Sequence, residues 1–226
     1  MRNVIIACQT LYDELNLAVN ETHCEYPVVW VSSEYHSDPN RLRSKLQQEI
    51  DAQNGFDNIL FAYGFCGNAV IGLKASTANL IFPKTDDCIS MLLSKPEEKY
   101  ERMKETYFLT KGWIENSKSL LNEYLNAVNR YGEKRTKRIF QIMLKHYNKL
   151  MLIDTGAYNV ADYWDRAKKI AGIADLELFT GKGNLWLLKK LLTGPYDDDF
   201  IIIDKGQTVN TASLGYVYDR NTYQDL

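Results

Sequence analysis

The sequence has no run of apolar residues near the length of about 20 that a membrane-spanning helix needs. It also has no excess charge of one sign, because 27 lysines and arginines stand against 29 aspartates and glutamates. Proteins that bind nucleic acid usually carry a basic excess, so this balance argues against such a partner. The first residues lack the apolar core of a secretory signal. We therefore expect a cytoplasmic protein that binds neither membranes nor nucleic acid.

Cysteine and histidine are both scarce, with four cysteines and three histidines in 226 residues. The cysteines lie far apart and form no Cys-x-x-Cys pair. In a cytoplasmic chain, free thiols that act as metal ligands, nucleophiles or core residues are expected rather than disulfides.

Short apolar runs alternate with helical patterns along most of the chain. In the first half these runs predict four strands, at 3–7, 27–32, 58–63 and 79–82. The last third predicts three more, at 150–153, 176–179 and 200–203. Strands that alternate with helices predict parallel sheets with right-handed crossovers.

The middle of the chain, from about 117 to 147, has a helical pattern that breaks near Gly132. The sequence therefore predicts an α/β fold of two Rossmann-like lobes with mainly parallel sheets. Residues 1–112 would form the N-terminal lobe, residues 113–148 a helical connector, and residues 149–226 the C-terminal lobe and tail.

Thiol and imidazole side chains follow four successive strands of the predicted N-terminal lobe. Cys8 ends the first strand, His36 follows the second, Cys66 follows the third, and Cys88 begins the helix after the fourth. The carboxyl ends of parallel strands meet at one sheet edge, where α/β proteins bind ligands. Three thiolates and one imidazole form a tetrahedral set for zinc, and sulfur ligands also suit an iron–sulfur cluster or another transition metal. We predict a metal site there, whereas Cys24 precedes the second strand and is expected to be structural or exposed.

Glycine turns supply further candidate residues. Gly64 and Gly67 flank Cys66 and would let backbone N–H groups approach a bound cofactor. In the C-terminal lobe, a turn after a predicted strand has the composition of an anion site, although surface turns use the same residues. Its members are Gly181, Lys182 and Gly183.

Two acidic residues are candidate catalytic groups. Asp87 could act as an acid or a base, but it is equally well explained as a helix cap. Glu115 follows Trp113 where the two lobes would meet, so it could face a small molecule bound in the cleft between them.

Three segments resemble those of one protein family. They are residues 63–68 (YGFCGN), 81–89 (IFPKTDDCI) and 107–115 (YFLTKGWIE). In this order they are similar to an uncharacterised bacterial and archaeal family, domain of unknown function 1638, and the resemblance covers about residues 1–205. It implies that Cys8 and His36 match a cysteine and a histidine of the family pattern. Asp86 departs from the pattern, which often has histidine there, so no histidine ligand or relay is expected at that position.

The resemblance also implies a link to corrinoid-dependent methyl transfer, with a corrinoid methyl-transfer protein as a partner. Three hypotheses for the function stay open. The first is a zinc-binding protein with a Cys3His site that activates or transfers a thiol or methyl group. The second is a small-molecule- or anion-binding protein with structural cysteines. The third is a metal-free enzyme of the two-cysteine racemase kind, although such enzymes take one thiol from each lobe.

Overall fold

The computed structural model describes residues 1–98 and 100–214. Its larger sheet has five strands in the order β2-β1-β3-β4-β8. The first four strands are mutually parallel, and the last is antiparallel to β4. These strands are β1 (Asn3–Cys8), β2 (Val28–Val31), β3 (Asn58–Ala62), β4 (Asn79–Pro83) and β8 (Phe200–Ile203).

The smaller sheet has three parallel strands in the order β5-β6-β7. They are β5 (Thr106–Leu109), β6 (Lys149–Asp154) and β7 (Glu177–Lys182). The helices are α1 (Tyr12–Thr22), α2 (Pro39–Ala52), α3 (Cys88–Leu93), α4 (Lys111–Glu115), α5 (Leu120–Tyr131), α6 (Glu133–Met143), α7 (Ala161–Ala171) and α8 (Trp186–Thr193). Short 3₁₀ turns span Gln9–Leu11 and Ser33–Ser37. The predicted α/β fold with mainly parallel sheets is therefore confirmed.

Two strands pair differently from what the sequence predicted. Phe200–Ile203 was expected to be parallel within the C-terminal lobe, but it joins the larger sheet and runs antiparallel to β4. Thr106–Leu109 falls inside the predicted N-terminal lobe, but it pairs with β6 in the smaller sheet. The chain thus crosses between the two sheets twice, and the sheets do not follow the boundaries at 112 and 148. The domain division itself stays a prediction.

The register of the larger sheet is fixed by a ladder of three asparagines, Asn3, Asn58 and Asn79, at the start of neighbouring strands. Asn79 Nδ2 donates to Asn58 Oδ1 at 3.1 Å, and Asn58 Nδ2 donates to Asn3 Oδ1 at 3.0 Å. A shift of one residue would break both bonds and turn every side chain to the opposite face. We call this group the asparagine ladder.

The larger sheet is covered on both faces. One face packs on α2 through Leu42, Leu46 and Ile50. The other face packs on α1 and α8, and the same apolar cluster continues into the smaller sheet through Met151 and Ile153. No helix in the described ranges is long and apolar enough to cross a membrane.

Candidate functional site

Cys8 lies at the centre of a group of polar side chains at the carboxyl edge of the larger sheet. It is the last residue of β1, and its Sγ lies 3.7 Å from Nε2 of His36, which is in the second 3₁₀ turn. Thr10 Oγ1 lies 2.9 Å from Cys8 Sγ and donates to Cys88 Sγ at 3.9 Å. The structure therefore brings together Cys8, His36 and Cys88, which are contributed by three different strand–helix units.

Cys66 faces the same space from the loop after β3. Its backbone N–H donates to the Asp86 carbonyl at 2.8 Å, which ties this loop to the start of α3. Cys66, Gly67 and Asn68 all have positive φ, at 44°, 62° and 70°. The left-handed region disfavours a residue with a Cβ by about 1–2 kcal/mol, and such strain concentrates at functional sites. Cys66 is thus held in its position at a local energetic cost.

Two glycines let backbones approach closely around this group. A Cβ on Gly64 would lie 2.3 Å from the Asp87 Cα, and a Cβ on Gly112 would lie 2.1 Å from the Thr10 carbonyl oxygen. Gly64 therefore serves the packing of α3 against the loop after β3. Gly112 places α4, including Trp113, directly over the turn that carries Thr10.

Burial and mutual contact perturb the pKa values of the thiols. Burial raises the pKa of Cys66 well above its usual value, and it raises the pKa of Cys88 as well. Burial also acts on Cys8, but its hydrogen bond to His36, the imidazole charge and the Thr10 hydroxyl outweigh it and lower the Cys8 pKa. Burial lowers the pKa of His36, but the hydrogen bond and the charge interaction with Cys8 outweigh burial. The His36 pKa therefore lies above its usual value. The contact between Cys8 and His36 therefore favours the charged form of each, whereas burial favours the neutral thiol at Cys66 and Cys88.

Aromatic donors surround this pair. The His36 ring stacks on the Tyr63 ring at 6.2 Å and meets the edge of the Trp113 ring at 5.5 Å. Tyr63 OH and Trp113 Nε1 are buried and have no hydrogen-bond partner within the described part of the chain. Burial raises the pKa of Tyr63 well above its usual value, with further contributions from the neighbouring cysteines. The Trp113 indole lies beside Cys88. Both donors therefore lie next to cysteine sulfurs.

A cavity of about 290 Å³ opens beside the group. From the larger sheet it is lined by His36, Cys66, Gly67, Asp87 and Cys88. From β5, α4 and the segments next to them it is lined by Arg102, Phe108, Trp113 and Tyr147. The cavity therefore lies between the two sheets, where a small molecule was expected to bind.

The two candidate catalytic carboxylates occupy different positions. Asp87 lines the cavity, caps α3 by accepting from the Ser90 N–H at 2.7 Å, and pairs with Arg102 Nη1 at 2.5 Å. Glu115 is exposed and accepts from the Tyr163 hydroxyl at 2.8 Å, away from the cysteines. Only Asp87 is thus placed to act on a ligand of the cavity.

The glycine turn of the C-terminal lobe packs against neighbouring residues. Gly181 and Lys182 lie inside β7, where a Cβ on Gly181 would lie 2.4 Å from Met151 Sδ. Lys182 pairs with Asp154 at 2.5 Å, and the Gly183 N–H donates to the Asp154 carbonyl. An anion site here stays a prediction, and these residues do not line the cavity.

Cys24 lies between α1 and β2, at the opposite end of β2 from His36, and is partly buried. Two residues that sequence reasoning did not assign to the site are Thr10 and Arg102. The position of Thr10, two residues beyond a strand-end cysteine, could have indicated it. Arg102 lies in an irregular loop, and no periodic pattern points to it.

Within residues 1–98 and 100–214, no three histidine, cysteine, aspartate or glutamate side chains lie close enough together to hold a metal ion as placed. The observed contacts alone therefore establish one Cys–His pair with two further thiols nearby.

These observations define an α/β protein with one mixed but mainly parallel sheet, one parallel sheet, and a group of thiols at the carboxyl edge of the larger one. A family model described as "Protein of unknown function (DUF1638)" matches residues 30–192, and the chain belongs to this family. The resemblance carried by the three segments is thereby confirmed. No curated protein and no solved structure gives a significant match.

Proposed function

We propose that the protein binds one zinc ion through Cys8, His36, Cys66 and Cys88. The observation that supports this most directly is the 3.7 Å distance between Cys8 Sγ and His36 Nε2. In a tetrahedral site with Zn–S and Zn–N bonds of about 2.3 and 2.05 Å, two such ligand atoms are about 3.6 Å apart. This pair therefore already has the spacing of two zinc ligands.

The orientation of the His36 ring supports the same proposal. Its Nδ1 lies 3.2 Å from the Ser33 carbonyl oxygen. A carbonyl only accepts, so Nδ1 carries a proton and Nε2 is the nitrogen directed at Cys8. Histidines that ligate metals are commonly oriented in this way by a backbone carbonyl.

Cys66 and Cys88 would complete the set by moving inward, since as placed they are not at ligand distance. Both line the cavity together with His36. Thiols bind metals as thiolates, so binding would release their protons. Metal-bound thiolates accept hydrogen bonds, which Tyr63 OH and Trp113 Nε1 would donate.

A bound zinc ion would supply a Lewis acid that keeps a coordinated sulfur in its thiolate form at neutral pH. The residues of the chain would position that sulfur beside the cavity. This arrangement would suit the activation or transfer of a thiol or methyl group.

The test is the metal content of tag-free protein purified without oxygen, measured by mass spectrometry per chain. We expect about one zinc per chain in the wild type, loss of the metal in Cys8→Ser, Cys66→Ser and Cys88→Ser, and retention in the control Cys24→Ser. Iron or copper in place of zinc would correct the identity of the metal. Wild-type protein without stoichiometric metal under reducing, metal-replete conditions would refute the proposal.

A second candidate function is metal-free thiol chemistry, which the Cys8–His36 contact favours. A thiolate paired with an imidazolium can act as a nucleophile or a base. Cys8 and Cys88 both contact Thr10, so these two thiols would act as the pair of a two-cysteine racemase, although both come from the predicted N-terminal lobe rather than one from each lobe. Exchange of solvent deuterium into an amino acid by metal-free protein, abolished in Cys88→Ser, would support it; no exchange across a panel of amino acids would exclude it.

A further inference from the structure

The hairpin formed by α5 and α6 concentrates positive charge. Residues 120–145 hold six basic residues against two acidic ones, a net charge of +4 in a chain whose total is −2. All six basic side chains are exposed, and none forms an ion pair with a residue that the structure describes. They are Arg130, Lys134, Arg135, Lys137, Arg138 and Lys145.

The same hairpin exposes large apolar side chains. Of the ten large hydrophobic residues that are exposed in the described part of the chain, five lie in this hairpin. Ile142 and Met143 are each 60% exposed. Single exposed apolar residues are normal on a protein surface, but a concentration of them marks an interaction surface. The five are Leu125, Tyr131, Ile139, Ile142 and Met143.

The outward face of α6 carries both kinds of side chain. Thr136 and Phe140 are buried, and the Phe140 ring meets the Tyr124 ring of α5 at 5.2 Å. At 3.6 residues per turn, four exposed residues at spacings i, i+3, i+4 and i+7 fall together on the side of α6 that is turned away from these two. We call them the outward face: Arg135, Arg138, Ile139 and Ile142.

An anionic lipid surface fits this combination better than the other partners. Cations beside apolar side chains on one helix face suit a bilayer surface, where the cations meet lipid phosphates and carboxylates and the apolar groups enter the acyl boundary. Two hairpins of like charge repel each other, which disfavours a second copy of the chain. Nucleic acid would pair with the cations but not with the isoleucines. Protein interfaces are depleted in lysine, which supplies three of the six cations here.

We propose that the outward face of α6 binds the protein reversibly to an anionic lipid surface. Ile139 and Ile142 enter the boundary between headgroups and acyl chains, and Arg135 and Arg138 contact the headgroups. The expectation that the protein binds no membrane rested on the lack of a spanning helix and on the balanced total charge. Neither of these addresses a local basic face. None of the four residues lines the cavity, so binding does not require the proposed metal site.

The test is sedimentation of the tag-free full chain with vesicles of phosphatidylcholine alone, or of equal parts phosphatidylcholine and phosphatidylserine. We expect partitioning to the mixed vesicles to be at least about 100-fold stronger, because each cation near an anionic surface contributes separately. Raising the salt from about 0.05 to about 0.5 M should weaken it at least about ten-fold. Equal partitioning to both kinds of vesicle, or none to either, would overturn the proposal.

Variants separate the charge from the apolar contact. The double change Arg135→Gln and Arg138→Gln should weaken partitioning about 30-fold, whereas the control pair Lys84→Gln and Lys205→Gln, which removes two exposed cations outside the hairpin, should not. Ile142→Ser should weaken it about ten-fold, whereas Ile202→Ser, at a similarly exposed residue of β8, should not. Circular dichroism spectra should be unchanged. Wild-type partitioning by the double arginine variant would overturn the proposal.

Two further measurements cover the other occupants of this face. Soluble polyglutamate that binds more tightly than the mixed vesicles would indicate an acidic protein partner. A dimer of the free protein that Ile142→Ser dissociates, measured by analytical ultracentrifugation, would place a second copy there. Either result would overturn the proposal.

Discussion

Glu14 is a buried carboxylate at the contact between α1 and the turn after β6, and changing it to glutamine gives a sharp test of the packing there. It is 0% exposed, and its Oε1 accepts from the Thr155 hydroxyl at 3.1 Å. Oε2 has no partner among the residues that the structure describes. Burial raises the Glu14 pKa to about 7; Thr155 and the charge of Lys111 oppose this rise, whereas Asp13 adds to it.

The stability effect follows from the difference between the folded and unfolded states. The pKa rises from 4.5 in the unfolded chain to about 7 in the folded protein, which is about 2.5 units. At about 1.36 kcal/mol per unit, the ionised side chain destabilises the folded protein by about 3 kcal/mol at alkaline pH. Between these two pKa values the folded protein holds a proton that the unfolded chain has released. The free energy of unfolding therefore falls as the pH rises through this range, and the full loss is reached above it.

In Glu14→Gln the amide oxygen keeps the bond from Thr155, and the amide nitrogen stands where Oε2 was. An amide without an acceptor costs about 1 kcal/mol or more, and this cost is the same at every pH. The difference in the free energy of unfolding, Glu14→Gln minus wild type, should therefore be about 2–3 kcal/mol larger at about pH 8.5 than at about pH 5.

Urea unfolding at the two pH values measures this gain, and the exposed Glu177 of β7 changed to glutamine is the control. A difference between Glu14→Gln and wild type that is equal at both pH values would refute a buried carboxyl that titrates near neutrality.

Three further substitutions test the packing described above, each by urea unfolding. Gly112→Ala would place a Cβ 2.1 Å from the Thr10 carbonyl oxygen and should destabilise the fold by about 3 kcal/mol. The control Gly172→Ala has ordinary contacts at 3.5 Å and should change stability by less than about 0.5 kcal/mol. Similar values for both variants would contradict the close approach at Gly112. Asn58→Ala removes the middle of the asparagine ladder and should lower the free energy of unfolding by about 2 kcal/mol. An unchanged free energy of unfolding would mean that the ladder does not fix the register. Lys182→Ala should change stability by less than about 0.5 kcal/mol, because its side chain is 86% exposed and screened by water, and a loss above about 1 kcal/mol would contradict this.

The larger sheet could be predicted from the sequence as far as its first four strands. Each is a short apolar run followed by a turn or a helix start, and these are local signals. The partner of β8 could not be predicted, because Phe200–Ile203 is an apolar run that fits either sheet equally well. Its antiparallel pairing with β4 depends on where the preceding helix, α8, packs, and this is a tertiary effect that no periodicity records.

The candidate site shows the same division. The placement of Cys8, Cys66 and Cys88 at one edge required only that the strands be parallel and adjacent. The contacts of Thr10 with two of the sulfurs, and of Arg102 with the cavity, depend on irregular segments whose geometry is set by long-range packing. Metal binding by the four side chains stays a prediction, which the metal content of the purified protein tests.

The short helix α4 links the site to the contact between the two sheets. Its Gly112 packs on the Thr10 backbone, its Trp113 meets the His36 ring, and its Lys111 pairs with Asp13 at 2.6 Å. Thr10 also contacts Cys8, so α4 and the Cys8–His36 pair pack on the same turn. The surroundings of the Cys8–His36 pair are therefore set by the packing of α4 on this turn as well as by the residues that line the cavity.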